Sequence, residues 1–164
     1  MSQPQKEHFF ELLHHFKHGM MTTHAQSGAL HTRPMALLKV EPNGNIWLVA
    51  DVNSEKVGEL NHDARISLSM QDGQKFVALH GRGELLRDPD KVAQLWEEGL
   101  RVWFPQGPTD PAIILLKISS DQGEFWDNSG LHRAKYIFEA AKAYVTGQVP
   151  PPDKDLRGTV GLSS

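Results

Sequence analysis

The sequence predicts a mainly β protein: a six-stranded antiparallel Greek-key split β-barrel with flanking helices. Three observations carry that prediction. Between residues 20 and 127, period-two or continuous apolar runs recur between short turn signals rich in Gly, Pro, Asn and Asp. Helical periodicity is confined to the two ends and to short connecting stretches. Nowhere does a glycine-rich strand-to-helix turn open a βαβ unit; Gly81-x-Gly83 lies inside a strand pattern and lacks a third glycine.

Taken in order, Phe9, Leu12, Leu13 and Phe16 fall at i, i+3, i+4 and i+7, predicting a helix from Gln5 to Lys17 that Gly19 ends. The period then changes to strands in "MMTTHA", "LHTRPMALLKV" and "NIWLVA", joined by the turns "QSG" and "EPNG". "EKVGELN" reads as a short helix. "ARISLSM" alternates, "QDGQ" turns the chain, and "KFVALHGRGELL" is a long strand whose Gly81 and Gly83 suggest a bulge or bend. Asp88 and Pro89 cap and start a helix reaching about Gly99. "AIILLKISS" and "GEFWD" are two further strands separated by the turn "SDQG", and residues 131–145 form a last helix. Residues 1–145 thus read as one domain and residues 146–164, rich in Pro and Gly, as a flexible tail.

Composition narrows the function. A chain of 164 residues with formal net charge −3 offers no general nucleic-acid-binding surface. The absence of cysteine removes disulfides, thiolate nucleophiles and cysteine-based metal sites, and suits a reducing cytoplasm. No apolar run approaches the ~20 residues of a membrane span, and the first residues lack the apolar core of a secretory signal. Walker, nucleophile-elbow and paired-carboxylate motifs are missing, so hydrolase and phosphoryl-transfer readings have no support. Glu11, His14 and His18 are placed for a metal on the first helix, but without HExxH they read better as a solvated face, and no metal is expected.

One placement asks for a ligand. Lys56 sits in the first turn of a helix, where the partial positive charge opposes it by about 0.3–1 kcal/mol. An anion opposite Lys56 would reverse that sign. The plain alternative is a serine cap at Ser54 and a solvated lysine. Arg33, in an otherwise largely apolar strand, needs a carboxylate such as Glu41 or Glu84, or a phosphate suited to its planar fork. Its strand is expected to pair with "NIWLVA", and Pro34 there marks an edge or bulge. "NIWLVA" does not alternate, so both of its faces must be covered, one by the core and one by a helix, a partner subunit or a flat apolar ligand. Together these make a cradle for a phosphorylated aromatic cofactor.

The combination "TRPMALL", "IWLVADVNSEKVGEL", "HGRGEL", "VWFPQGPTDPAIILLKI" and "GEFWD" resembles the general stress protein 26 family of pyridoxamine 5′-phosphate oxidase-like flavin-binding split barrels. The resemblance covers residues 5–145 and implies a homodimer with FMN at the subunit interface. It assigns Arg33, Ser54 and Lys56 to the phosphate, and Met35, Trp47, Leu48, Val49, Ala50 and Asp51 to the ring or ribityl chain. Trp126, with Trp103 and Phe104, is implied to approach the ring from either subunit. FAD is also admitted, since an open phosphate side lets an adenylate project into solvent; deazaflavin or haem are the other flat cofactors that related barrels hold. The basic segment and C-terminal arginine motif of true pyridoxamine phosphate oxidases are not recognisable here, so vitamin B6 oxidation is not expected. The chemistry implied is oxidoreduction on the flavin or, alternatively, non-catalytic flavin carriage or redox sensing.

Overall fold

The structure is a computed structural model and describes residues 3–130, 137–138, 142, 146 and 157–162. The helix α1 (Gln3–His15) presents Phe9, Leu12 and Leu13 on one face, and Phe16 follows it; all four are buried in the main core. Gly19 does not terminate this helix but lies within β1 (His18–His24). A Cβ there would meet Leu68 and Met70, so glycine is what lets this strand lie against the strand that carries them.

Residues 30–40 run on as β2 (Leu30–Ala36) and β3 (Lys39–Val40). β2 pairs with β1, whereas β3 pairs with β4 (Ile46–Asp51). The expected pairing with "NIWLVA" therefore belongs to Lys39 and Val40, and Arg33 pairs with Met21 instead. The reason is topological: the run bends at Leu37 and Leu38, whose N–H groups bond Lys17 and Trp47. One chain segment thereby joins opposite ends of the sheet.

After α2 (Glu55–His62) come β5 (Arg65–Asp72), β6 (Lys75–Leu86), the short helix α3 (Pro89–Leu95) and β7 (Ile113–Asp127). The spatial order is β2-β1-β5-β6-β7-β4-β3, every pairing antiparallel, and the sheet curls around the main core. The predicted split-barrel class holds, with eight strands among the described residues rather than six. The predicted turn "SDQG" is absent because β7 passes straight through it. Its pairing with β6 shifts register between His80 and Gly81, opposite Asp121, and the bulge absorbs that polar residue.

The C-terminal residues also differ from expectation. β8 (Arg157–Gly161) pairs with β7, and Val160 is fully buried in the main core, so this part of the predicted tail is a strand. Most of the predicted helix at 131–145 lies outside the described residues; Ile137, Phe138 and Lys142 within it are helical.

Candidate functional site

The site begins at a helix start without a cap. Asp51 ends β4 and organises the turn beyond it, its carboxylate accepting from the Asn53 N–H at 2.7 Å. Ser54 has extended backbone, but its hydroxyl donates backwards to the Asp51 carbonyl at 2.6 Å and bonds no helical N–H. The serine cap named as the plain alternative is therefore not made, and the first-turn N–H groups that a helix cannot satisfy internally have no capping side chain.

Lys56 lies in this first turn, half-buried and with no hydrogen bond or ion pair among the described residues. Burial presses its ammonium below the usual lysine range, and the charge of Arg33 adds to the effect. Asp51 and Glu59 oppose the shift without cancelling it. Two cations, from β2 and α2, are thus held close enough to repel.

What holds Arg33 is Glu59, not Glu41 or Glu84. Its Nη2 donates to Glu59 Oε2 at 2.8 Å and its Nη1 to Thr23 Oγ1. The Thr23 hydroxyl donates in turn to the same carboxylate oxygen at 2.5 Å, and His31 Nδ1 contacts the other one. The Glu59 side chain is only 6% exposed, so this carboxylate survives on its partners. Burial alone pushes it up, but hydrogen bonds from Thr23, Arg33 and His31, with the charge of Arg33, hold it below the usual carboxylate range. Glu41 is engaged elsewhere, accepting from Trp47 Nε1 at 2.8 Å and facing Lys91 Nζ at 3.4 Å.

β4 is covered on both faces, as its unbroken apolar character requires. Leu48 points into the main core with Met35, and Ala50 packs with Val57 of α2 and Ile114. Trp47 belongs to a second core, with Val92 and Leu95 of α3, Phe104, Ile113 and Leu115; Val49 packs against its margin. Among the alternatives left open for that second face, α3 and the 3-10 turns after it supply the cover. Trp47, Leu48, Met35 and Phe104 therefore spend their side chains on packing, while Val49 is half-buried and Asp51 exposed.

Trp126 stands apart. It pairs with Phe76 on the outer face of the sheet, where it lines a groove of about 680 Å³ with Met20, Pro34, Phe76 and Ala78. Pro34 and Arg33 are adjacent and so point to opposite faces; within one chain, Trp126 does not join the Arg33 cluster. Trp103 is 75% exposed and also stands outside it. The structure thus brings Arg33 and Lys56 together beside Asp51 and Ser54. It adds Thr23, His31 and Glu59, which the sequence reading did not single out; the signals available were the i, i+2 spacing of His31 and Arg33 and the i, i+4 spacing of Glu55 and Glu59.

With this geometry in place, comparison with known families matches residues 4–151 to "pyridoxamine 5′-phosphate oxidase like". The chain belongs to the pyridoxamine 5′-phosphate oxidase-like family. No curated protein matches it significantly. Among solved structures it is similar to a putative general stress protein 26 from Jannaschia sp. CCS1, with TM-score 0.71 at 22% identity over 98% of this chain and 99% of that one. It is also similar to general stress protein 26 from Bacillus anthracis str. Sterne, with TM-score 0.67 at 17% identity over 74% of this chain and 92% of that one. A third is the general stress FMN/FAD binding protein from Xanthomonas citri, with TM-score 0.67 at 24% identity over 79% and 92% of the two chains. These likenesses establish the fold of the family for this chain. The helices are too short or too polar for any to cross a membrane among the described residues.

Proposed function

We propose that the protein binds a flavin, FMN in the first place, with its phosphate at the start of α2. The observation that carries this reading is Lys56, a half-buried cation without a partner among the described residues, beside a helix start without a capping side chain. Such an arrangement is unfavourable alone and becomes favourable when an anion arrives. In this family, and with a general stress FMN/FAD binding protein among its structural neighbours, a flavin phosphate is the anion that fits. The first-turn N–H groups and Lys56 would donate to it, and the Ser54 hydroxyl would join them by giving up its bond to the Asp51 carbonyl. Arg33, its terminal nitrogens engaged by Thr23 and Glu59, contributes charge from behind rather than a free fork.

Val49, Ala50 and Asp51 then lead from the phosphate towards the ring, while buried Trp47, Leu48 and Met35 shape the strands beneath it. Trp126 reaches the ring from a second subunit if the apolar groove on the outer sheet face is the contact between two copies in a homodimer. When bound, the flavin supplies electron or hydride transfer. This chain orients it and, through the apolar cover of β4, limits water on one side. An open phosphate side also accommodates FAD.

Reconstitution tests this directly: protein mixed with FMN is expected to shift the flavin spectrum and quench its fluorescence, and no binding at high micromolar flavin would sink the reading. A non-catalytic carrier or redox sensor is the second reading. It is favoured by the way Arg33, Glu59 and His31 satisfy one another instead of pointing at the groove with Trp126. Stopped-flow reduction of bound flavin by NADH or NADPH separates the two, since a carrier shows no saturable reduction.

A further inference from the structure

We propose that His31, Glu55 and Glu59 form a binding site for one divalent transition-metal ion, with zinc the best match, on the flank of the phosphate cradle. His31 comes from β2, and the two glutamates stand one turn apart on the same face of α2. One ligand atom from each lies within 4.8 Å of the others. His31 Nδ1 is 3.8 Å from Glu55 Oε1 and in direct contact with Glu59 Oε1. In a tetrahedral zinc site with bonds of about 2.0–2.1 Å, ligand atoms stand roughly 3.3 Å apart. The edge between His31 and Glu59 therefore opens and the edge between His31 and Glu55 closes. The closing edge belongs to Glu55, whose side chain is 75% exposed and free to change rotamer.

The remaining groups already support such a site. Glu59 Oε2 keeps Arg33 and Thr23 while Oε1 turns to the ion, the outer-shell bracing that fixes a ligating carboxylate. His31 ligates through the Nδ1 lone pair and carries its one remaining proton on Nε2, so neutral His31 loses no proton overall. Water takes the fourth position on the side where His31 is 40% exposed. A mixed nitrogen and oxygen set suits zinc and its neighbours better than magnesium or calcium, which favour oxygen ligands alone.

Charge bears on the same site. Around the cradle Arg33 and Lys56 carry two positive formal charges, against three negative ones on Asp51, Glu55 and Glu59. The set is one charge negative, and a divalent ion makes it one charge positive, which strengthens its hold on a phosphate at Lys56. This effect on phosphate rests on the flavin reading above; the metal site itself does not.

The test is a titration of the full-length, metal-stripped, flavin-free protein with Zn²⁺ against a chromophoric chelator, followed by FMN and riboflavin titrations with and without Zn²⁺. Because the chain has nine histidines, position must be tested by substitution. The expected result is one EDTA-reversible zinc per chain, weakened at least tenfold by Glu55→Gln and by His31→Gln and unchanged by His14→Gln. Glu55 is exposed, so its variant keeps the fold, which a thermal melt verifies. No saturable binding, or binding indifferent to both Glu55→Gln and His31→Gln, overturns the site. Zinc is further expected to tighten FMN at least threefold and to leave riboflavin unchanged; zinc that binds without favouring FMN overturns the charge-balancing role. An intact zinc titration in a protein that binds no flavin would instead overturn the flavin reading and leave the metal site standing.

Discussion

At Arg33 two demands meet, because the same guanidinium neutralises a buried carboxylate and raises the potential at Lys56. Removing it strands Glu59, and breaking a buried pair from one side costs about 3 kcal/mol or more. Arg33→Ala is therefore expected to lower the unfolding free energy by about 3 kcal/mol in urea, with Arg33→Ala/Glu59→Gln recovering a good part of it. A single variant as stable as wild type would show that the pair is not buried in solution. Lys56→Ala is expected to behave oppositely, leaving stability unchanged or raising it by up to about 1 kcal/mol, since it removes a partly desolvated charge without a partner among the described residues. At this scale Lys56 and Ser54 were legible from sequence because helix starts have local signatures. Glu59 and His31 were not, since their meeting depends on how α2 lies across β1 and β2, which no local spacing records.

The elements show the same division. The apolar stripe of α1 and the period-two strands could be read directly, as both depend only on residues near in sequence. β8 could not: "RGTVG" is short and follows a Pro-rich run, and only the free edge of β7 makes it a strand. Val160→Ala is accordingly expected to cost about 2 kcal/mol in chemical denaturation, whereas a loose tail would give no change. α1 is fastened beyond its apolar face by His8 with Asp127 at 3.0 Å and by His15 with Asp72 at 2.7 Å. Burial alone would raise the Asp127 carboxyl, but hydrogen bonds from Ser129 and the contact with His8 hold it below its usual range. A carboxyl lowered by folding adds stability that is complete above its unfolded pKa of about 4 and disappears as pH falls through the folded value. Thermal melts are expected to decline from about pH 5 downwards, and Asp127→Asn to flatten part of that decline. Glu59, lowered in the same sense, contributes to the same limb.

For the whole molecule, barrel closure explains why a site forms where it does. The run 30–40 bonds β1 with its first half and β4 with its second, changing partner at Leu37 and Leu38, and α2 is tied to the first half through Glu59 and Arg33. The class of barrel was accessible from the sequence, but this division of one run between two partners was not, because "LHTRPMALLKV" carries no turn signal at Leu37 and Leu38. A homodimer meeting through the groove that includes Met20, Phe76 and Trp126 should sediment at twice the chain mass, and Met20→Glu, on a residue 45% exposed, should shift it towards monomer. The most direct test of the account is the ratio of FMN to riboflavin affinity, measured by fluorescence quenching in wild type and in Lys56→Ala. The predicted result is a tenfold to hundredfold loss for FMN, about the worth of one charge-assisted contact, with riboflavin nearly unchanged. Equal losses for the two ligands, or none for FMN, would contradict a phosphate at Lys56.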